Sequence, residues 1–317
     1  MTEPNATVTR THAGPPRILV APTTPMPSML DAIRAGGGEL VADPADAEGL
    51  VWLDPRDPSQ LAGILAAGPG IRWIQLPFAG IDPFLGHLTH EHVWTSGKGV
   101  YADPVAEMAF AMLLAGFRNL TGYARERTWS ARVGRNLFDA KVVVLGGGEI
   151  TRALLPMLAP FRCRVTVLRR QSDPFPGADR TATLDDLHAE LADADAVVIA
   201  LALTPETEHV IDAAALAAMP DHAMLVNLGR GRHVDTDALV AALAEGRIGG
   251  AALDVTDPEP LPDGHPLWTE PRCLITPHTG NTLEMGIPLL EARVRDNVGR
   301  FAAGEPLVGL VDVDAGY

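Results

Sequence analysis

Residues Val142 to Gly148 read Val-Val-Val-Leu-Gly-Gly-Gly, an apolar run that ends in a glycine turn, and a helical pattern follows from Ile150 to Leu158. A short run rich in β-branched residues predicts a buried strand. Glycines at its end allow close backbone approach, and the amides at a helix start can receive a pyrophosphate. The segment therefore predicts either a dinucleotide-binding turn or a purely structural strand–turn–helix unit.

Two residues depart from the full dinucleotide fingerprint. Thr151 stands where a third glycine normally lets the helix pack closely on the strand, and Glu149 places a carboxylate where it can face a pyrophosphate. Both departures argue against tight cofactor binding.

The chain from Lys141 to about His278 alternates strand and helix signals, which predicts a doubly wound parallel sheet. Strands are predicted at Val142–Leu145, Arg164–Leu168, Ala196–Leu201, Ala223–Asn227, Gly250–Asp254 and Cys273–Thr276. A smaller parallel sheet is predicted before residue 100, with strands at Arg17–Ala21, Gly49–Leu53, Trp73–Leu76 and His92–Thr95 and helices near Pro27–Ala35 and Pro58–Ala67. Long helices are expected from about Asp103, capped by that residue, to Leu120, and from about Met285 to Ala302.

Length and charge limit the remaining possibilities. A chain of 317 residues predicts two domains, and a net charge of −15 argues against nucleic acid or an anionic membrane as a partner. The start, Met1 to Pro16, lacks the pattern of a signal peptide and is interpreted as a flexible tail, so a cytoplasmic location is expected. Cys163 and Cys273 are predicted to be buried free thiols rather than a disulfide or metal ligands.

The end of the second strand of the larger sheet informs cofactor choice. An acid at this place binds the ribose hydroxyls of NAD, but the chain has Arg169 and Arg170, which can meet a 2′-phosphate. We therefore expect NADP or NAD, with NADP slightly favoured. The alternative is that both arginines are solvated surface residues.

Three later segments each follow or end a predicted strand: Val226–Gly231, Ala252–Val255 with the nearby Glu259, and Ile275–Gly280. Open α/β sheets bind ligands beyond the carboxyl ends of their strands. Reduction of a 2-oxo acid needs a cation for the carboxylate and carbonyl, a role suited to the forked donors of Arg230. It also needs a proton donor such as His278, and the Glu259 carboxylate can stabilise and orient that imidazole.

Each residue also has a structural interpretation. Arg230 can bind a helix C-terminus, Glu259 can be an exposed loop charge, and His278 can be a hydrogen-bonded turn histidine. Taken one residue at a time, the structural interpretation is favoured.

Taken together, the segments resemble the D-isomer-specific 2-hydroxyacid dehydrogenase family, in its glyoxylate/hydroxypyruvate reductase-like branch. The resemblance extends from about Trp73 to Asn297. Its motifs are Ile74-Gln75-Leu76-Pro77-Phe78-Ala79-Gly80-Ile81-Asp82, Val105-Ala106-Glu107, Leu203-Thr204-Pro205-Glu206-Thr207 and His265-Pro266-Leu267-Trp268, besides the three strand-end segments.

The resemblance implies an α/β fold in which a Rossmann-type doubly wound domain, residues 103–282, is inserted into a smaller flavodoxin-like substrate domain, residues 17–102 and 283–317. It implies a homodimer, a catalytic set of Arg230, Glu259 and His278, and amides near Ala79 and Gly80 that hold the substrate carboxylate. The residues expected at the cofactor are Gly146, Gly148, Glu149, Ile150, Arg169, Arg170, Thr207, Leu228, Gly229, Asp254 and Gly280. Asp254 is alternatively a structural strand-end carboxylate.

The expected activity is hydride transfer between NAD(P)H and a small 2-oxo acid or D-2-hydroxy acid such as glyoxylate or hydroxypyruvate. The alternative is a cofactor-sensing binding protein on the same fold that does not turn over substrate. The altered glycine turn favours that alternative, whereas the complete Arg-Glu-His set favours the enzyme.

Overall fold

The computed structural model describes residues 14–23 and 25–316 of the chain. It divides into two compact units. The terminal unit comprises Met1–Tyr101 and Leu283–Tyr317, and the central unit comprises Ala102–Thr282. Most of the tail predicted at residues 1–16 lies outside the described residues.

The terminal unit is built on a five-stranded parallel sheet with the order β2-β1-β3-β4-β5. Its strands are β1 (Arg17–Ala21), β2 (Glu39–Val41), β3 (Gly49–Trp52), β4 (Trp73–Gln75) and β5 (Val93–Thr95). This is the flavodoxin-like strand order. Its helices are α1 (Pro27–Ala35), α2 (Leu61–Ala67) and α10 (Leu283–Ala303), and α1 packs against α10.

The central unit is built on a seven-stranded parallel sheet with the order β12-β11-β10-β9-β6-β7-β8. Its strands are β6 (Lys141–Leu145), β7 (Arg164–Leu168), β8 (Arg180–Ala182), β9 (Ala196–Ile199), β10 (Met224–Asn227), β11 (Gly250–Leu253) and β12 (Cys273–Ile275). The strand order reverses between β6 and β9, so this is a doubly wound sheet whose switch point lies at the end of β6.

The helices of the central unit are α3 (Ala102–Phe117), α4 (Leu120–Arg125), α5 (Glu149–Leu158), α6 (Leu187–Leu191), α7 (Ala213–Ala218), α8 (Thr236–Ala244) and α9 (Pro266–Thr269). Helices α3 and α4 precede β6, and the other helices lie between strands of the sheet. Helix α3 packs most extensively against α5, and its buried face includes Ala106, Ala109 and Leu113. The strands β9, β10 and β11 are buried along their whole length, as expected for a parallel sheet covered on both faces.

The expected fold class is confirmed, and the differences lie mainly at element ends and at the sheet edges. The edge strands β2 and β8 were not predicted, because three-residue strands with polar residues carry no clear apolar pattern. The expected Asp103 cap is wrong, since α3 begins one residue earlier, at Ala102. That helix ends at Phe117 rather than Leu120, and Asn119, in the left-handed region with φ 52°, separates it from α4.

Further element boundaries also differ. Helix α2 begins at Leu61 rather than Pro58, and α10 begins at Leu283 rather than Met285.

Cys273 is buried and Cys163 is half-buried, and both are free thiols. Among the described helices, none combines the length and apolar character needed to cross a bilayer.

Candidate active site

The glycine turn joins β6 to α5 at the switch point of the central sheet. Gly146 has φ 114°, and a Cβ at this position would lie 2.3 Å from the carbonyl oxygen of Ala200. Any other residue would therefore be strained and would collide with the chain after β9. The glycine lets the end of β6 approach the chain after β9 just before α5 begins.

Thr151, in the place of the third fingerprint glycine, is fully buried. Its hydroxyl donates a 2.6 Å hydrogen bond to the carbonyl oxygen of Gly146. The side chain thus links the first turn of α5 to the end of β6. The turn accommodates the threonine by satisfying its hydroxyl internally.

The start of α5 fits a phosphate group. A Cβ added to Gly148 would meet no atom within 4 Å, so the backbone here is open to an approaching group. The amides of Glu149 and Ile150 belong to the first helical turn, where amides lack helical acceptors. The Glu149 carboxylate, which could oppose a pyrophosphate, lies 3.4 Å from Nε of Arg152 and is partly neutralised by it.

The two arginines at the end of β7 differ in environment. The Arg169 side chain is 24% exposed, and its Nη2 lies 3.0 Å from Oδ1 of Asp173. Arg170 is exposed. Arg169 lies against the glycine turn, since a Cβ at Gly147 would be 2.8 Å from its Cδ.

Arg230 follows β10 in a loop that is fixed by Asn227. The Asn227 side chain accepts from the Gly229 amide at 3.0 Å and donates to the Arg230 carbonyl at 2.9 Å. The Arg230 amide donates to Nδ1 of His233 at 3.0 Å, and the buried Leu228 anchors the loop in the core. Three hydrogen bonds and a buried side chain therefore fix the backbone that carries the guanidinium.

Gly231 brings the Arg230 loop against the segment that carries Glu259. A Cβ at Gly231 would lie 1.9 Å from the carbonyl oxygen of Thr256 and 2.5 Å from the amide nitrogen of Asp257. Only glycine permits this approach. As a result, the chain after β10 and the chain after β11 run side by side.

The carboxylate of Glu259 and the imidazole of His278 form a direct pair. Oε1 of Glu259 lies 2.7 Å from Nδ1 of His278. The hydrogen bond with His278 lowers the pKa of the Glu259 carboxyl below its usual value; burial opposes this effect, and the charges of His278 and Arg230 support it. The glutamate is thus held as a carboxylate beside the histidine, within electrostatic reach of Arg230.

Asp254 organises the loop that presents His278. Its carboxylate accepts from the amides of Thr279 and Gly280, both at 2.8 Å, and from the Thr276 hydroxyl. Its carbonyl accepts from the His278 amide at 2.8 Å, and His278 has φ 52° in the left-handed region. These bonds compensate for the backbone strain at the histidine. These contacts favour the interpretation of Asp254 as a structural carboxylate at the end of a strand.

Thr207, expected at the cofactor edge, is buried. Its hydroxyl donates to the Ala202 carbonyl and accepts from the Thr204 amide, both at 2.8 Å. It closes the loop between residues 202 and 207, after β9.

Ala79 and Gly80 belong to the terminal unit, in the loop after β4. The preceding residues of that loop are held in place, because the Tyr101 hydroxyl donates to the Pro77 carbonyl at 2.7 Å and the Gly97 amide donates to the Phe78 carbonyl at 3.0 Å. The Phe78 and Tyr101 rings meet edge to face. The loop is thus supported by the segment that follows β5.

Sequence reasoning missed three residues at the site: Asp173, Arg152 and Thr276. Asp173 lies in a loop and pairs with Arg169. Thr276, after β12, donates a hydrogen bond to Asp254, after the neighbouring strand β11. Of these contacts, the sequence could have indicated only the pair of Glu149 and Arg152, because residues three positions apart are neighbours on a helix.

A glycine turn at the switch point of a doubly wound sheet, with an arginine and a carboxylate–imidazole pair beyond the neighbouring strand ends, defines a nicotinamide-dependent oxidoreductase. A family model described as D-isomer specific 2-hydroxyacid dehydrogenase, NAD binding domain, matches residues 108–280. The chain belongs to this D-isomer specific 2-hydroxyacid dehydrogenase family and uses NADP or NAD.

Two relatives and one solved structure give the range of similarity. The chain is 39% identical over 293 residues to an uncharacterized protein in the proB 3′ region of Corynebacterium melassecola, covering 90% of this chain and 95% of the relative. It is 33% identical over 289 residues to the glyoxylate reductase/hydroxypyruvate reductase of Homo sapiens, covering 86% and 84%. A 2-hydroxyacid dehydrogenase from Xanthobacter autotrophicus Py2 in complex with NADPH and MES superposes with TM-score 0.83 at 27% identity, covering 96% and 100%.

Proposed function

We propose that this oxidoreductase reduces glyoxylate, hydroxypyruvate or a related small 2-oxo acid to the D-2-hydroxy acid, with NADPH preferred over NADH. The observation that carries the proposal is the 2.7 Å contact between Glu259 and His278, with Arg230 close enough to lower the pKa of the same carboxyl. The similarity to a human glyoxylate reductase/hydroxypyruvate reductase supports the substrate class.

The roles follow from the geometry. Arg230 binds the carboxylate and polarises the carbonyl of the 2-oxo acid. Because Nδ1 of His278 faces Glu259, Nε2 is the nitrogen that hands a proton to the carbonyl oxygen. Glu259 orients the ring through this hydrogen bond. When bound, the nicotinamide cofactor supplies the hydride that adds to the carbonyl carbon.

We assign cofactor binding to the central unit. The glycine turn with Gly146 and Gly148, and the amides of Glu149 and Ile150, would hold the pyrophosphate. The remaining proposed cofactor contacts are Arg169, Arg170, Thr207, Leu228, Gly229, Asp254 and Gly280. The terminal unit is the proposed substrate domain, and the amides of Ala79 and Gly80 would bind the substrate carboxylate.

We further propose that the chain forms a homodimer through the segment from Leu120 to Phe138. Four large apolar side chains of this segment are exposed, among them Trp129 at 94%. Several exposed large apolar side chains in one segment favour an interface. Light scattering tests the proposal: the chain should have the mass of a dimer and Trp129→Asp that of a monomer, whereas a wild-type monomer would contradict it.

A cytoplasmic location is proposed with the same function, because a reductase of this kind needs a supply of reduced nicotinamide cofactor. Fractionation of the source cells, with detection by antibody, tests it. Recovery of the protein outside the cytoplasmic fraction would contradict it.

The proposed activity is tested by following the absorbance of reduced nicotinamide with a panel of 2-oxo acids, each with NADPH and with NADH. Turnover is expected with glyoxylate or hydroxypyruvate, and chiral chromatography of the hydroxypyruvate product should give the D isomer. The Arg169→Asp variant should shift the cofactor preference toward NADH. Cofactor binding with no turnover of any acid would instead favour a cofactor-sensing protein.

A further inference from the structure

Arg169 lies against the glycine turn with its aliphatic portion. The side chain is largely buried, and its Cδ occupies the space next to Gly147 where a Cβ would be only 2.8 Å away. The guanidinium at the end of this stem is consequently restricted to the surroundings of the turn. A cationic group at this place is suited to a phosphate on the adenosine ribose.

The guanidinium already has an anionic partner within the chain. Nη2 of Arg169 lies 3.0 Å from Oδ1 of Asp173 and 3.4 Å from Oε1 of Gln171. The Asp173 side chain is 60% exposed, so the aspartate can move away at little cost to the fold. The pair is therefore an interaction that a stronger anion can replace.

A second arginine of the central unit has the same arrangement. The guanidinium carbons of Arg169 and Arg152 lie 5.9 Å and 5.3 Å from the centre of the buried Phe175 ring. Arg152 is paired with Glu149 at 3.4 Å, as Arg169 is paired with Asp173. The Phe175 ring thus lies beside two guanidinium groups, and each of these forms an ion pair with a carboxylate.

On the basis of the proposed function, we propose that Asp173 determines cofactor selectivity by competing with the 2′-phosphate of NADPH for Arg169. A phosphate monoester carries nearly two negative charges at neutral pH and offers three acceptor oxygens, whereas Asp173 carries one charge. NADPH must displace the aspartate to reach the guanidinium. NADH has no 2′-phosphate and leaves the pair intact, so Asp173 weakens the binding of NADPH alone.

The experiment measures dissociation constants of NADPH and NADH by titration calorimetry for the wild type and for Asp173→Asn. The variant should bind NADPH about two- to fivefold more tightly, which is the range of a partly exposed ion pair. NADH binding should change little. Asp173→Glu keeps the charge and should retain the wild-type ratio of the two constants.

Two further variants separate this role from a general effect of charge. Glu149→Gln releases Arg152 near the turn that both cofactors share, so it should change both dissociation constants by a similar factor. In an Arg169→Ala background, Asp173→Asn should have a much smaller effect on NADPH, because Asp173 acts through Arg169.

An unchanged NADPH to NADH ratio in Asp173→Asn, or an equal change in Asp173→Glu, would overturn the inference. An undiminished effect in the Arg169→Ala background would also overturn it. These outcomes are distinct from failure of the proposed function, because calorimetry needs no turnover. A wild type that binds both cofactors but reduces no 2-oxo acid contradicts the proposed activity and leaves the selectivity measurement valid.

Discussion

Oε1 of Glu259 and Nδ1 of His278 lie 2.7 Å apart, although 18 residues and the strand β12 separate them in the chain. The contact lowers the pKa of the Glu259 carboxyl, so the ionised form stabilises the fold above about pH 4.5. That contribution is lost as the pH falls through the lower pKa of the folded state. The pair therefore predicts that the folded protein loses stability in acid by a measurable amount.

Glu259→Gln removes this titration. As the pH is lowered from about 4.5 through the pKa of the folded state, the melting temperature of the variant should fall less than that of the wild type, as measured by circular dichroism. Glu245→Gln, a change at an exposed glutamate of the same unit, serves as control and should follow the wild type. Parallel curves for all three proteins would show that the pair contributes nothing to acid stability.

His278→Ala removes the proposed proton donor. The reduction rate should fall by about 10²–10⁴ while cofactor affinity stays near the wild-type value, because the proton transfer alone is lost. His188→Ala, on the exposed surface of α6, is the matched control and should retain full activity. Steady-state kinetics and cofactor titration measure both effects, and an active His278→Ala enzyme would refute the proposed role.

Arg230→Lys keeps the charge but loses the fork of donors. Weaker substrate binding and a lower rate are both expected, since the two-point contact with a carboxylate needs a guanidinium. Kinetics over a range of substrate concentrations separate KM from kcat. Wild-type values of both would show that Arg230 acts only as a local positive charge.

Gly231→Ala places a Cβ in the space of the Thr256 carbonyl, 1.9 Å from its oxygen. The chain after β11 must shift, and Glu259 shifts with it, so kcat/KM should fall about tenfold to a hundredfold. Gly63→Ala, in α2, is the control because its Cβ meets no atom within 4 Å. Kinetics and circular dichroism together test the prediction, and a folded Gly231→Ala enzyme with full activity would contradict it.

Thr151→Val replaces a buried hydroxyl that donates to the Gly146 carbonyl. The free energy of unfolding of the central unit should fall by about 1–2 kcal/mol, since a polar bond in the interior is lost without a water to replace it. Thr269→Val, an exposed threonine of α9, should change it by less than about 0.5 kcal/mol. Urea unfolding measures both, and equal effects would show that the buried bond is not stabilising.

Local patterns predicted most of the two sheets but not the edge strands β2 and β8. Central strands such as β6 are buried on both faces and therefore carry continuous apolar runs. The three residues of β2 are exposed or half-buried, and β8 begins with an exposed arginine. Edge strands form because a neighbouring strand offers hydrogen-bonding groups, a cause that lies outside their own sequence.

The sequence also indicated the three strand-end segments as a group, because in a parallel sheet every strand ends at the same edge. It did not indicate how they are joined. The close passage of Gly231 along Thr256, and the three hydrogen bonds that the Asp254 carboxylate accepts from the loop around His278, became visible only in the structure.

The amino-acid sequence by itself determined the element types, the glycine turn and the set of chemically capable residues, because each depends on neighbours only a few positions away. The tertiary structure decided which groups pair. Glu259 meets His278 only because β11 and β12 lie side by side, and Gly231 meets Thr256 only because β10 and β11 do. A hydrogen bond requires its two atoms to lie about 3 Å apart in space. The number of residues between two distant positions in the sequence does not indicate whether their side chains come that close.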